Sequence, residues 1–499
     1  MLTVHVRVSD ASTGRPVPAR LRITDAAGRY YPPLGRYADF RTGPGEDVGG
    51  QVLLGGRAYA YTDGACEVRL PPGLLRAEVS RGPEYVPAVH EVNLAAGQLA
   101  LRLSLGRWTD ERAAGWWPGD ARAHELSPHA AVLEGAAEGL SVVQLLARER
   151  PERGEMPAAA GNLLAFSGTQ ACVRSPECLA VVNTLNAHDV LGTVALLHCH
   201  RPVFPLRFTG PDWSVADWCD QCHRKRGLTV WGDLPRLTEE HPQGEALAAM
   251  LLGKIDAFEV GRSGARWVEA RALYGRLLAC GLRPALVGGS GKESNAQALG
   301  AVRTYARLKE GEELTTATWI EAVRAGRTYV TSGPLLSLSV CCAGREYGPG
   351  EVVRAEPGAR VRIGATARST TRIERLDLQD SEERVSVNQG ATQNGPVCTA
   401  MAEAEYEVRH SGWLTAACTA EGRLPGEDRL FATATPVWLE VAGHPCRPRP
   451  DQAAPLHAAL EQTLRWVDQA ADGPGEKQRG RLRGVLRAAQ QDLQRRGGA

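Results

Sequence analysis

Residues 120–129, DARAHELSPH, place an aspartate, an arginine, a glutamate and two histidines within ten positions. His124-Glu125 followed by His129 invites comparison with the zinc-protease HExxH. That motif needs its histidines at i and i+4, so that both rings leave one helical face toward one ion. Here His129 comes one residue late and follows Pro128, which rules out a continuous helix through 124–129. A second string, CDQCH (Cys219, Cys222, His223), matches the c-type haem attachment sequence. Val215, Trp218, Cys219 and Cys222, however, fall at i, i+3, i+4 and i+7 and describe the buried face of an amphipathic helix. GGSGKES (288–294) lacks the phosphate cradle GxxxxGK[ST], because Leu286 stands at its first glycine and Glu293 at its Ser/Thr. What remains there is a glycine-rich turn that still presents backbone N–H groups.

A pattern of position carries more. In a β/α barrel the functional side chains stand at the C-terminal ends of the strands. The strand-like runs of this chain end at Asp120 and His124, at His198 and His200 (LLHCHRP), at Asp233 (VWGDLP), at Glu259 (AFEVGRSG) and at the turn 288–291. Of these, His124, His198, His200, Asp233 and Glu259 are the candidate metal ligands, if a site is retained. His200 and Asp233 are the candidate acid–base pair. Each could equally be a hydrogen-bonded polar residue in a barrel rim.

The elements that must position these groups follow from periodicity. Residues 1–108 alternate in period two (LTVHVRV, ARLRITD, LLRAEVS, LALRLSL) between Gly-, Pro- and Asp-rich turns, which predicts a β-sandwich. Over 109–335 strand patterns alternate with helical ones, which predicts a parallel sheet or barrel. Residues 336–446 return to strands and predict a second sandwich. In 447–499, Leu456, Leu460, Leu464 and Val467, then Leu482, Leu486, Ala489 and Leu493, predict a helical hairpin. At 499 residues the chain is long enough for several cores. The net charge of +1, with 58 Lys+Arg interleaved among 57 Asp+Glu, argues against a nucleic-acid surface. No apolar run reaches membrane-spanning length and no signal-peptide pattern opens the chain. Twelve cysteines without a repeated spacing read as reduced thiols, so a cytoplasmic location is expected.

WWPGDARAHELSPHAAVLEGAAEGL, VVNTLNAHDVLGTVALL, VADWCDQCHRKRGLTVWGDLP, GEALAAMLLGKIDAFEV and GGSGKESNAQALGAVRTYARL, in that order, resemble the CehA/McbA-like group of PHP-domain metallohydrolases over about 113–335. The stretch STGRPVPARLRI with PPGLLRAEVSRGPEY resembles the carboxypeptidase regulatory-like sandwich. The resemblance implies a multidomain α/β plus all-β chain, with a distorted (β/α)7 PHP-type barrel between two β-sandwich domains and a C-terminal helical tail. It also implies two or three zinc, manganese or iron ions that activate water against a phosphoester or related bond.

The ligand motifs of that family are largely overwritten. H-x-H reads Arg122-Ala123-His124; the T-D-H position reads Ala147, Arg148, Glu149; A-H-P reads Gly232, Asp233, Leu234; and the last aspartate is Gly291, followed by Lys292. Only His124 coincides with an expected ligand. Arg122, Arg148 and Lys292 bring fixed positive charge where a divalent ion would sit, a combination that needs intervening carboxylates. They could pair with Asp120, Asp233 or Glu259, or bind a small anion such as phosphate or carboxylate. Three functions therefore stand open. One is a metal-depleted pseudoenzyme or anion-binding scaffold without a cofactor, with protein partners on its sandwiches. The second is a phosphoesterase-like hydrolase with a rearranged metal site. The third is metal-free acid–base chemistry by His200 and Asp233.

Overall fold

The computed structural model describes residues 1–499 apart from 44–45, 150–160, 212, 233–236, 238–241, 261–266, 382–383, 389, 423–428, 470–474 and 498–499. It is a mixed α/β structure built mostly of strands, with seven α-helices among the described residues.

In the N-terminal part, strand Leu2–Asp10 lies between Ala65–Leu70 and Ala100–Leu105. A second sheet, of five strands, faces this one. Val4, Val6 and Val8 are buried while His5 and Arg7 point to solvent, the period-two pattern of a half-buried strand. They share one core with Leu21, Ile23, Leu75 and Leu103. Each such side chain stabilises the fold by about 1.5–3 kcal/mol relative to exposure.

The central sheet is numbered here from its first strand: β1 (Trp116–Ala123), β2 (Val142–Ala147), β3 (Leu179–His188), β4 (Gly192–Leu197), β5 (Leu228–Trp231), β6 (Ala257–Glu259), β7 (Ala285–Val287), β8 (Arg303–Arg307) and β9 (Thr328–Thr331). Their spatial order is β7-β6-β5-β4-β3-β2-β1-β8-β9. The sheet curls into a half-barrel, and the segment after β7 returns to β1. Gly291 N–H donates to Arg122 O at 2.8 Å and His124 N–H to Lys292 O at 2.6 Å. One expectation is corrected: the sheet is not purely parallel. β4 runs antiparallel to both β3 and β5, and β8 antiparallel to β1.

Five helices flank these strands: α1 (Pro128–Ala137), α2 (Val215–Arg224), α3 (Gly244–Leu251), α4 (Trp267–Ala279) and α5 (Thr316–Arg324). Ser127 caps α1, its Oγ accepting Ala130 N–H at 3.2 Å, and Pro128 opens the helix. His124 therefore follows a strand while His129 lies on a helix, which is why the two cannot act as an HExxH pair. In α2, Val215, Trp218, Cys219 and Cys222 are buried. No disulfide joins any of the twelve cysteines. Helix α5 closes the end of the half-barrel where the parallel strands begin. Trp319, Ile320 and Val323 join Ala121, Leu185, Ala195 and Val230 in one cluster.

Beyond β9 the large sheet continues through strands Leu430–Ala434, Gly412–Ala420 and Ile373–Asp380. A five-stranded sheet built on Ala359–Ser369 packs against that continuation, with Leu338, Ile363, Leu376 and Ala416 in the shared core. The chain ends in α6 (Pro450–Gln469) and α7 (Glu476–Gly497), which pack on the half-barrel. Gly244 N–H donates to Thr463 Oγ at 3.1 Å, fixing α6 against the start of α3. Among the described residues no helix is long and apolar enough to cross a membrane.

Candidate functional site

The end of β1 and the turn after β7 meet at the rim where the parallel strands finish, and their charged side chains are buried there. Gly289 makes this approach feasible. A Cβ at that position would lie 2.5 Å from Arg122 N and 2.7 Å from Asp120 Oδ1. Asp120, fully buried, accepts N–H bonds from Arg122 (3.0 Å), Ser290 (3.0 Å) and Gly300 (2.8 Å). Burial lifts its carboxyl to about 6 against the opposing pull of these donors. Asp120 thus ties β1 to the turn and to the start of β8.

His124 is held through both ring nitrogens. Its Nδ1 lies 2.8 Å from Leu146 O, and a carbonyl oxygen only accepts, so Nδ1 carries the proton. Nε2 is then the acceptor, and Arg122 Nε–H donates to it at 3.1 Å. The guanidinium continues to Glu259, with Nη1 to Oε2 at 3.0 Å and each side chain 3% exposed. His124 therefore holds a neutral ring with both nitrogens engaged, and Arg122 occupies the space between it and Glu259.

Lys292 forms a second buried pair. Its ammonium donates to Gln297 O at 2.6 Å and lies 3.3 Å from Glu134 Oε2 on α1, both side chains fully buried. Burial pushes the Glu134 carboxyl up, while Lys292 and the Gly50 N–H oppose that shift. The N-terminal part covers this pair. Gly50 N–H donates to Glu134 Oε1 at 2.8 Å, and Asn295 bonds Gly49 N–H and Asp47 O, each at 2.8 Å. Arg148, partly exposed, pairs with Glu293 and lies 3.8 Å from Glu125.

The three candidate anion-binding cations are thus each neutralised by a carboxylate: Arg122 by Glu259, Lys292 by Glu134, and Arg148 by Glu293 with Glu125. Arg122 and Lys292 are moreover buried, 2% and 0% exposed, whereas Arg148 is partly exposed.

Of the five candidate ligands, the structure brings His124 and Glu259 together, joined by Arg122. His198 and His200 lie at the opposite rim, a correction that follows from the reversed direction of β4. His198 has a left-handed backbone (φ 60°), its N–H donates to Asn183 Oδ1 at 2.9 Å, and burial followed by the nearby Arg324 of α5 lowers its ring pKa. His200 is exposed. Asp233 lies outside the described residues, and so does the pairing of His200 with it. Among the described residues no group of three or more His, Cys, Asp or Glu side chains is placed to hold a metal ion.

Three buried residues escaped the sequence reading. Glu134 was signalled only by an acidic residue amid the apolar face of AVLEGAA. Glu245, at the start of α3, accepts from Ser214 Oγ and from the N–H groups of Val215 (2.9 Å) and Ala216 (3.2 Å), so it holds the N-terminus of α2. Burial lifts it to about 7. His188, at the end of β3, accepts N–H bonds from Val190 (3.0 Å) and Leu191 (2.9 Å) and packs between Phe208 and Trp466. Burial lowers it to about 4, so it is a neutral, structural histidine. Comparison with protein-family models, curated proteins and solved structures finds no match for this chain.

Proposed function

We propose that the chain is a PHP-type, CehA/McbA-like barrel flanked by two β-sandwiches whose metal centre has been replaced by internal ion pairs, so that it serves as a non-catalytic scaffold. One observation carries this reading: the buried Arg122 guanidinium lies between His124 Nε2 and Glu259, two groups that would otherwise be ligands. A divalent cation in the same place would face a permanent positive charge at hydrogen-bond distance. The donor set therefore does not fit zinc, manganese or iron. In this reading the binding surfaces for protein partners belong to the paired sheets on either side.

The test is elemental analysis of protein purified without chelators, paired with phosphomonoester and phosphodiester hydrolysis in added zinc, manganese or iron(II). The reading expects metal far below one ion per chain and no turnover above buffer. Stoichiometric metal that disappears in His124→Ala, together with hydrolysis that disappears with it, would replace the scaffold by a rearranged metallohydrolase.

A further inference from the structure

A cleft of about 450 Å³ opens where the end of α4, the start of strand Gly412–Ala420 and the C-terminal turn of α7 meet. It lies within the size range of small-molecule sites, which favour such junctions between structural units. Its apolar wall is Leu278 with Trp413 and Trp438, two indoles directly opposite one another on adjacent antiparallel strands. Its rim is basic, with Arg283, Arg447, Arg495 and Arg496.

The arginines are not equivalent. Arg283 stacks over Trp438, 5.5 Å from the ring centroid, and bonds Glu440 at 2.8 Å. Arg496 bonds Asp492 at 2.6 Å and donates to Gly281 O at 3.3 Å, offsetting the carbonyl-rich end of α4. Arg495 shares Asp492. Arg447 is exposed and forms no ion pair among the described residues, so its planar donor fork is available to a ligand. It also lines a neighbouring cavity of about 320 Å³, which extends the basic face past the aromatic wall.

We infer that this cleft binds a small aromatic carboxylate, its ring against Leu278 and Trp413, beside the Trp438 indole that Arg283 covers, and its carboxylate on Arg447. The two requirements are separate. The indoles favour a flat apolar body, and a bidentate guanidinium favours a planar oxyanion. Neither uses the rim of the half-barrel, so this inference stands apart from the scaffold reading.

Isothermal titration of the full chain with 2-naphthoate, acetate and inorganic phosphate tests it. Saturable naphthoate binding is expected, with acetate and phosphate at least about 10-fold weaker because they lack the ring. Arg447→Ala, an exposed change that leaves the circular dichroism spectrum unaltered, is expected to weaken naphthoate about 10-fold or more through the lost charge-assisted bonds. Absence of saturable naphthoate binding overturns the proposal. So does affinity unchanged in Arg447→Ala, or acetate or phosphate binding as tightly as naphthoate.

Discussion

Replacing Arg122 by methionine leaves Glu259 buried without its cationic neighbour. At 3.0 Å and an effective dielectric of about 20, the Coulomb attraction of the pair is about 5.5 kcal/mol. Removing one member of a buried pair destabilises by about 3–5 kcal/mol, because the survivor keeps its desolvation penalty. For a unit of 150–250 residues each kcal/mol moves Tm by about 2–4 °C. Arg122→Met and Glu259→Met are therefore each expected to lower the melting temperature by about 6–20 °C in thermal scans followed by circular dichroism. The double variant, with apolar side chains of similar volume, should recover most of the loss, since replacing both charges removes both desolvation penalties. A coupling energy above about 1.5 kcal/mol in this cycle is the quantitative signature. Single variants that melt like the parent, or a double variant that loses the sum of the two singles, would refute the claim that these ions hold the rim together.

The second buried pair behaves alike: Lys292→Met should cost about 3–5 kcal/mol, and adding Glu134→Gln should restore much of it, read by urea denaturation. His188, held near 4 in the folded chain against 6.5 unfolded, makes stability fall as pH drops from 6.5 to 4, because only the unfolded chain takes up the proton. That loss is about 3 kcal/mol; His188→Phe should abolish this slope in urea midpoints across that window, though it lowers stability at pH 7 by leaving two N–H groups without an acceptor. Asp120 works in the opposite sense, its raised pKa of about 6 making stability fall as pH rises from 4 to 6, so the parent's net profile should be shallower than that of an Asp120→Asn variant at the acid end. At Gly244 an added Cβ would lie 2.7 Å from Thr463 Cβ, so Gly244→Ala should loosen α6 and α7 and speed their proteolytic release.

How much of this was legible beforehand depends on the range over which each feature is encoded. Alternation along LTVHVRV reported Val4, Val6 and Val8 as one buried face, and the i, i+3, i+4, i+7 spacing reported the buried face of α2. Pro128 just before His129 disposed of the HExxH reading. The cation Arg122 two positions before His124 was also visible, because it is a matter of residue type and local spacing.

Tertiary structure decided which acid each cation meets. Arg122 finds Glu259 across 137 positions and Lys292 finds Glu134 from another strand–helix unit, and no local pattern specifies such partners. It also decided which rim holds which histidine. A period-two strand reads the same whichever way its neighbours run, so LLHCHRP could not reveal that β4 is reversed. The sequence alone showed which cations stand at the strand ends, Arg122 two positions before His124 and Lys292 after the glycine turn. Only the fold, by pairing strands in a given direction and burying the rim beneath the N-terminal part, turned those charges into closed ion pairs.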